Sequence, residues 1–317
     1  MIKVIGNGAS GCEVCGCREL SVLRTYKHDW IACADCGNLT RTLRDTYLAS
    51  ALVPERLGRA ILPAKLADFF YPMNNVRRAA DNFYRYYEGS AALSPGATKY
   101  RTETRDLLLE LTARGIDLTG RSVLDISGGP GFLARDLAAI ASHVVVTEFS
   151  PAAVSGMAQH LAVNAVKFDY NSDDLASVTS GPYDVVLVRY SINFCLDLQR
   201  FARSLRKILV PGGVVYVSFV APTLGFLLRW QHDEYTVNRL YTTETMARSF
   251  VQEGFTLETR YRHPGYGFME NRGALKNAIL LPFIGAYGLR NLRIRAPVSR
   301  ALRHHNLVHI YGNPQHS

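Results

Sequence analysis

At 317 residues, with 48% hydrophobic and 20% charged side chains, the chain is long enough for one large core plus a smaller one, and this balance excludes global disorder. Its formal charge of +9 points toward anionic partners rather than basic ones. The opening MIKVIGNGAS lacks the apolar run of an export leader, and no uninterrupted apolar stretch is long enough to cross a bilayer, so a cytoplasmic protein without a transmembrane segment is expected.

Five of the six cysteines fall in GCEVCGCREL and ACADCGN, before any long core pattern. In a reducing compartment such clusters are metal ligands or redox thiols more often than disulfides. Cys12 and Cys15 form one Cys-x2-Cys pair and Cys33 and Cys36 a second, with seventeen residues between the pairs. That spacing is that of a zinc ribbon, and each pair is followed by a glycine, Gly16 or Gly37, able to take the positive φ of a tight knuckle. LSVLRTY and DWIAC then read as two short strands. A redox pair and a chance cluster are the competing readings; two matched knuckles favour zinc. Cys17 could replace Cys15 as a ligand, and Cys195, in a later apolar segment, reads as core.

From 41 to 97 the composition shifts. NVRRAADNFYRYYEGS concentrates aromatic residues on a helical pattern, either as a packed arm or as a lid in which Tyr84 and Tyr87 cover a ligand. SPGA marks the boundary of the main domain, predicted to run from 98 to 317. Beyond it helix and strand patterns alternate: TETRDLLLELTARG, SVLDIS, FLARDLAAIA, HVVVTEF, PAAVSGMAQHLAV, AVKFDY, YDVVLVRY, DLQRFARSLRKIL and GVVYVSFV. Ser150 before Pro151 is a strong helix start. Val-rich strands apolar on both faces, alternating with helices, predict an α/β fold with a parallel sheet covered on each side.

Ligands in such sheets sit beyond the carboxyl ends of the strands. There stands LDISGGPGF, in which Asp125 precedes Ser127, Gly128, Gly129 and Gly131. A carboxylate in a glycine turn, with no Gly-Lys-Ser/Thr after it, suits an ammonium or a ribose better than a pyrophosphate. The next two strands also end in acids. Glu148 is placed to accept ribose hydroxyls, and Asp169 to accept from an exocyclic amine.

Here the sequence resembles the class I S-adenosylmethionine-dependent methyltransferases. VLDISGGPGFLARDL, VVVTEFSPAAV, VKFDYNSDDL, YDVVLVRYSINFCLD and LRKILVPGGVVYVSF look like their first five motifs in order, and GFTLETRYRH and NLVHIYGN like the closing antiparallel strands. The resemblance implies a Rossmann-like sheet binding S-adenosyl-L-methionine. Gly129 and Gly131 would approach the methionine part and Asp125 its amino group. Glu148 would hold the ribose and Asp169 the adenine amine, with Phe149 and Tyr170 flanking the ring and Arg189 and Tyr190 beside the sulfonium. The family pattern prefers glycine at 127, so Ser127 departs from it, at little cost unless positive φ is required there.

The ribbon at 1–40, the aromatic arm at 41–97 and the main domain together resemble bacterial small-molecule methyltransferases with an N-terminal zinc-binding region, among them sugar C-methyltransferases. Those are commonly longer, which leaves the sugar in doubt. Zinc-ribbon RNA methyltransferases are the competing relatives, and a non-catalytic ribbon protein with a degenerate methyltransferase fold is a third reading. Arg290, Arg293, Arg295, Arg300 and Arg303 lie in a tail without acidic residues, suited to an RNA, a membrane surface or an anionic substrate. RYSIN lacks the Asn/Asp-Pro-Pro-aromatic motif of base-amine methylation, which weighs against nucleic acid. Segments at about 221–240 and 264–300 read as insertions forming an apolar pocket or simply a helical subdomain. His232 and His263 are the candidate general bases, each with a plainer reading as a surface or capping histidine, and Tyr190 is placed to orient the acceptor. The expected activity is methyl transfer to carbon or oxygen of a small biosynthetic substrate.

Overall fold

A computed structural model describes residues 11–12, 14–24, 29–41, 57, 60–61, 63, 97–221, 239–262 and 306–314. The chain divides into two compact units, one of Met1–Ala80, Val220–Thr245 and Tyr266–Asn306, the other of Asp81–Phe219, Met246–Gly265 and Leu307–Ser317.

The first unit contains a four-stranded sheet in the order β1-β2-β3-β9. Its first three strands are β1 (Leu20–Arg24), β2 (Asp29–Cys33) and β3 (Leu39–Arg41). β1 and β2 are the two strands expected between the cysteine pairs, and they pair antiparallel with Leu20 opposite Cys33. The fourth strand is β9 (Arg239–Leu240), which pairs antiparallel with β3. These two residues fall in the segment read from sequence as an insertion of the main domain.

In the second unit the expected alternation is present. It runs α1 (Ala97–Thr112), β4 (Ser122–Ile126), α2 (Phe132–Leu137), β5 (His143–Glu148), α3 (Pro151–His160), β6 (Asn164–Lys167), α4 (Leu175–Val178), β7 (Tyr183–Arg189), α5 (Leu198–Ile208) and β8 (Leu209–Val220), and after β9 it closes with α6 (Thr243–Gln252), β10 (Thr256–Arg262) and β11 (Asn306–Gly312). Gly115, at φ 77, ends the turn after α1 with its N–H on the Thr112 carbonyl. Ser150 caps α3 by accepting from the Ala153 N–H at 3.3 Å, with Pro151 at the first helical position.

The seven-stranded sheet has the order β10-β11-β8-β7-β4-β5-β6. Strands β8, β7, β4, β5 and β6 run parallel and β10 pairs antiparallel with β11. One face carries Val123, Val146, Leu187 and Tyr216 against Leu107 and Leu111 of α1 and Leu133 and Leu137 of α2. The alternate residues Leu124, Ile126, Val186 and Val188 are equally buried, so both faces of the central strands are covered and their apolar residues gain by leaving water. Chain order reverses between β4 and β7, and the crevice past their carboxyl ends is the topological switch point where ligands of such sheets bind.

Candidate functional site: a four-cysteine centre and a carboxylate-lined switch point

In the first unit, the sulfurs of Cys12, Cys15, Cys33 and Cys36 all lie within 4.8 Å of one another. Cys12 Sγ is 3.6 Å from Cys36 Sγ, and Cys15 Sγ is 3.5 Å from Cys33 Sγ. The two knuckles are built alike: the Gly16 N–H donates to the Cys12 carbonyl and the Gly37 N–H to the Cys33 carbonyl, with φ of 74 and 68 at the glycines. Four thiolates about 2.3 Å from one tetrahedral ion would stand about 3.8 Å apart, so the donor set fits zinc in spacing as well as in softness. The hydrogen bond between Cys12 and Cys36 lowers the pKa of Cys12 and raises that of Cys36. Cys17 lies outside the cluster with its sulfur 3.9 Å from the Glu19 carbonyl, and Cys195 is fully buried in the second unit.

At the switch point Asp125, the last residue but one of β4, is fully buried, and neither carboxylate oxygen has a hydrogen-bond partner. The nearest cation is Arg189 at the end of β7, whose Nε is 3.9 Å from Oδ1. Burial pushes the Asp125 pKa up to about 6, with the Arg189 charge opposing. The turn above it must be glycine for reasons of space. A Cβ on Gly128 would stand 2.6 Å from Asp125 Oδ2 and 2.4 Å from Val146 Cγ2. Gly131, at φ 77, starts α2, and a Cβ there would meet Met157 Sδ at 2.4 Å. Ser127 has φ 54, so the positive φ on which its tolerance depended is indeed present, at a cost of about 1 kcal/mol.

Glu148, ending β5, turns its carboxylate onto the same loop. Oε2 accepts from the Gly129 N–H at 3.0 Å and Oε1 from the Phe149 N–H at 2.7 Å. Burial raises its pKa, with these hydrogen bonds opposing. Phe149, next in the chain, is 40% exposed. Asp169 follows β6 and accepts the Asn171 N–H on Oδ1 at 2.9 Å, an Asx turn. Tyr170 is buried: its ring packs edge-on against Phe168 and Phe201, and its hydroxyl is 2.7 Å from Ser191 Oγ. Tyr190, next to Arg189, also has positive φ, 53, and its N–H donates to the Ser218 carbonyl. Asp125, Ser127, Gly128, Gly129, Gly131, Glu148, Arg189 and Tyr190 thus cluster around adjoining strand ends.

The methyltransferase-domain family matches residues 97–260, half of the chain and nearly all the alternating elements. The chain belongs to that family. Its fold is that of the class I S-adenosylmethionine-dependent methyltransferases. A chain of the complex between the Haloferax volcanii Trm112 methyltransferase activator and its methyltransferase superposes with a TM-score of 0.52 at 14% identity, covering 72% of this chain and 98% of that one. A Galdieria sulphuraria protein assigned as a sarcosine dimethylglycine methyltransferase gives 0.50 at 15% identity, over 74% and 98%. By sequence, the ubiquinone biosynthesis O-methyltransferase of Xanthomonas oryzae is 26% identical over 155 residues, 46% of this chain and 65% of that protein. The match therefore spans just under two thirds of that curated relative's length.

In this methyltransferase domain, Asn171 and Leu196 were not singled out from sequence. Asn171 Oδ1 accepts the Leu196 N–H and its Nδ2 donates to the Phe194 carbonyl, tying the loop after β6 to the loop after β7. Leu196 is 40% exposed there. An asparagine in a polar run gives no sequence signal for such a bridge, but an apolar residue in the loop after β7 does. Tyr84, Tyr87, His232 and His263 lie outside the described residues, as does the Arg290–Arg303 tail. Among the described residues no helix is long and apolar enough to cross a membrane.

Proposed function

We propose that the protein is a cytoplasmic, S-adenosylmethionine-dependent methyltransferase acting on oxygen or carbon of a small, anionic or partly apolar biosynthetic substrate, and that its four-cysteine centre holds a structural zinc. The observation that carries the first part is the Asp125 carboxylate, buried under a glycine turn at the switch point with Arg189 3.9 Å away and no hydrogen bond to either oxygen. A buried acid without hydrogen bonds is costly, and a ligand ammonium would supply the missing donors. The O-methyltransferase relatives favour oxygen as the acceptor.

When bound, S-adenosylmethionine supplies a methyl group already activated on a sulfonium. In this reading Asp125 accepts from the ammonium. Glu148, whose oxygens each keep a lone pair beyond the loop N–H they accept, takes the ribose hydroxyls, and Asp169 takes the adenine amine. Phe149 covers the ring. Arg189 and Tyr190 border the place where the acceptor aligns with the S–CH3 bond. A hydroxyl acceptor would have to give up its proton on accepting the methyl group, and His232 and His263 are the candidate bases to take it.

Titration calorimetry with S-adenosylmethionine tests the cofactor site: tight one-to-one binding lost in Asp125→Ala is expected, and absent or unchanged binding overturns the reading. For the metal, elemental analysis should find one zinc per chain and none in Cys33→Ser/Cys36→Ser. With four protein sulfurs around it, that zinc has no open position and takes no part in methyl transfer.

A further inference from the structure

Three segments meet at the buried hydroxyl of Tyr170. Its own segment, after β6, is held by Arg200, whose Nη2 donates to the Tyr170 carbonyl at 2.6 Å, and by the rings of Phe168 and Phe201. The hydroxyl lies 2.7 Å from Ser191 Oγ, just past β7, and interacts with the Ser127 side chain, just past β4. Ser191 Oγ in turn makes a long contact, 3.5 Å, to the Ile126 carbonyl at the end of β4. Ser191 donates to the Ile126 carbonyl, which leaves its oxygen to accept from Tyr170. Burial raises the Tyr170 pKa well above the ordinary phenol value, so the hydroxyl keeps its proton and its place as a donor.

The residues bracketed by these contacts are the two strained ones of the site. Ser127 and Tyr190 sit at φ 54 and 53, and Ser191 adjoins Tyr190. A non-glycine residue stays in the left-handed region only when its surroundings over-determine it. Beside the bonds of the Ser127 N–H to Thr147 Oγ1 and of the Tyr190 N–H to the Ser218 carbonyl, these contacts tie both strand ends to one side chain. We infer that Tyr170 is a positioning residue: its hydroxyl is a strut that holds the loops after β4 and β7 in the strained geometry the cofactor site requires. The inference rests on the cofactor reading of that site for its effect on binding, but not for its effect on the loops.

The test is Tyr170→Phe, which removes one oxygen and leaves the ring packing. S-adenosylhomocysteine should bind about tenfold more weakly by calorimetry, in keeping with loss of a buried hydrogen bond and release of the loop. Ser191→Ala should weaken binding similarly, and the double variant should be no worse than the poorer single one. Adding Ser127→Gly to Tyr170→Phe should recover most of the affinity, because glycine takes this φ without strain and needs no strut. A merely structural tyrosine would lower thermal stability without this rescue. Hydrogen exchange without ligand reads the strut by itself: amides 127–129 and 190–194 should exchange faster in Tyr170→Phe while those of 144–146 keep their protection. Unchanged exchange in both loops, or weakened binding not rescued by Ser127→Gly, overturns the strut. Faster exchange in a protein whose wild type binds no S-adenosylhomocysteine would uphold the strut and overturn the cofactor reading.

Discussion

Asp125 occupies a place that trades stability for binding. Its folded pKa of about 6 lies above the ordinary value of about 3.9, so the native state holds this proton more tightly than the unfolded chain does. The stability it contributes is therefore full below pH ~4 and is lost as pH rises to about 6, on the order of 2–3 kcal/mol. Asp125→Asn removes the titration while leaving Arg189 without its counter-charge, so the variant should be more stable than wild type at pH 7.5 by ~1–2 kcal/mol and show no such advantage at pH 4. It should also bind no S-adenosylmethionine. Denaturant titrations at the two pH values check this, and a difference independent of pH would refute it. Asp125 was legible in the sequence because an acid closing an apolar strand before a glycine turn has few plain explanations. What Gly128 does was not legible: the clash it avoids is with Asp125 and Val146, and the Val146 contact exists only once β4 and β5 are paired. Tyr170 shows the limit most clearly, since an aromatic after a strand carries no sign of which rings it packs against, and its edge-on contacts with Phe168 and Phe201 exist only once β6 and α5 are placed.

At the scale of elements, β4, β5, β7 and β8 were readable because a strand buried on both faces writes itself as a Val-rich run, and α3 because Ser150 and Pro151 mark its start. Less readable was how the sheet is closed at its antiparallel side. The Leu209–Val220 strand continues past Pro211, Gly212 and Gly213 with a break in register, Tyr183 standing opposite Leu209 and Val185 opposite Val214, and Gly212 takes φ 77. Asn313, just past β11, makes this possible. Its backbone exchanges hydrogen bonds with Gly212 and Gly213, and its side-chain amide donates to the Val210 carbonyl at 3.0 Å and to the Leu209 carbonyl at 3.4 Å. The exposed-looking Tyr-Gly-Asn after the strand carried no hint of this clasp, because its partners are a hundred residues earlier. Asn313→Ala should cost about 1–2 kcal/mol in unfolding free energy, raise hydrogen exchange in β11, and leave cofactor affinity within twofold. A loss of cofactor binding equal to that of Asp125→Ala would mean that the clasp has another task.

Over the whole molecule, each unit is assembled from separated stretches of chain, so the four-cysteine centre is tied to residues far from it in sequence. The carbonyl of Cys36 accepts from both Thr242 Oγ1, at 2.9 Å, and Thr245 Oγ1, at 3.0 Å. Thr242 also caps α6 by accepting the Thr245 N–H, and β9 pairs with β3 beside the knuckle, burying Leu240 and Tyr241 completely. Two residues of strand carry no sequence pattern, which is why 239–240 read as part of an insertion, while the cysteine spacing itself was plain. If a zinc ion fixes the knuckles, its removal frees the Cys36 carbonyl, and with it the pairing of β3 and β9 loses its anchor. Treating the full chain with a chelator should therefore raise hydrogen exchange at 30–41 and at 239–245 together, while β4 and β7, at 122–126 and 183–189, stay protected; zinc should restore both segments. Cys33→Ser/Cys36→Ser should show the same exchange pattern without chelator. Exposure of 30–41 alone would show that residues 239–245 hold their place without the metal, and simultaneous loss at 122–126 would show that the core of the second unit depends on it.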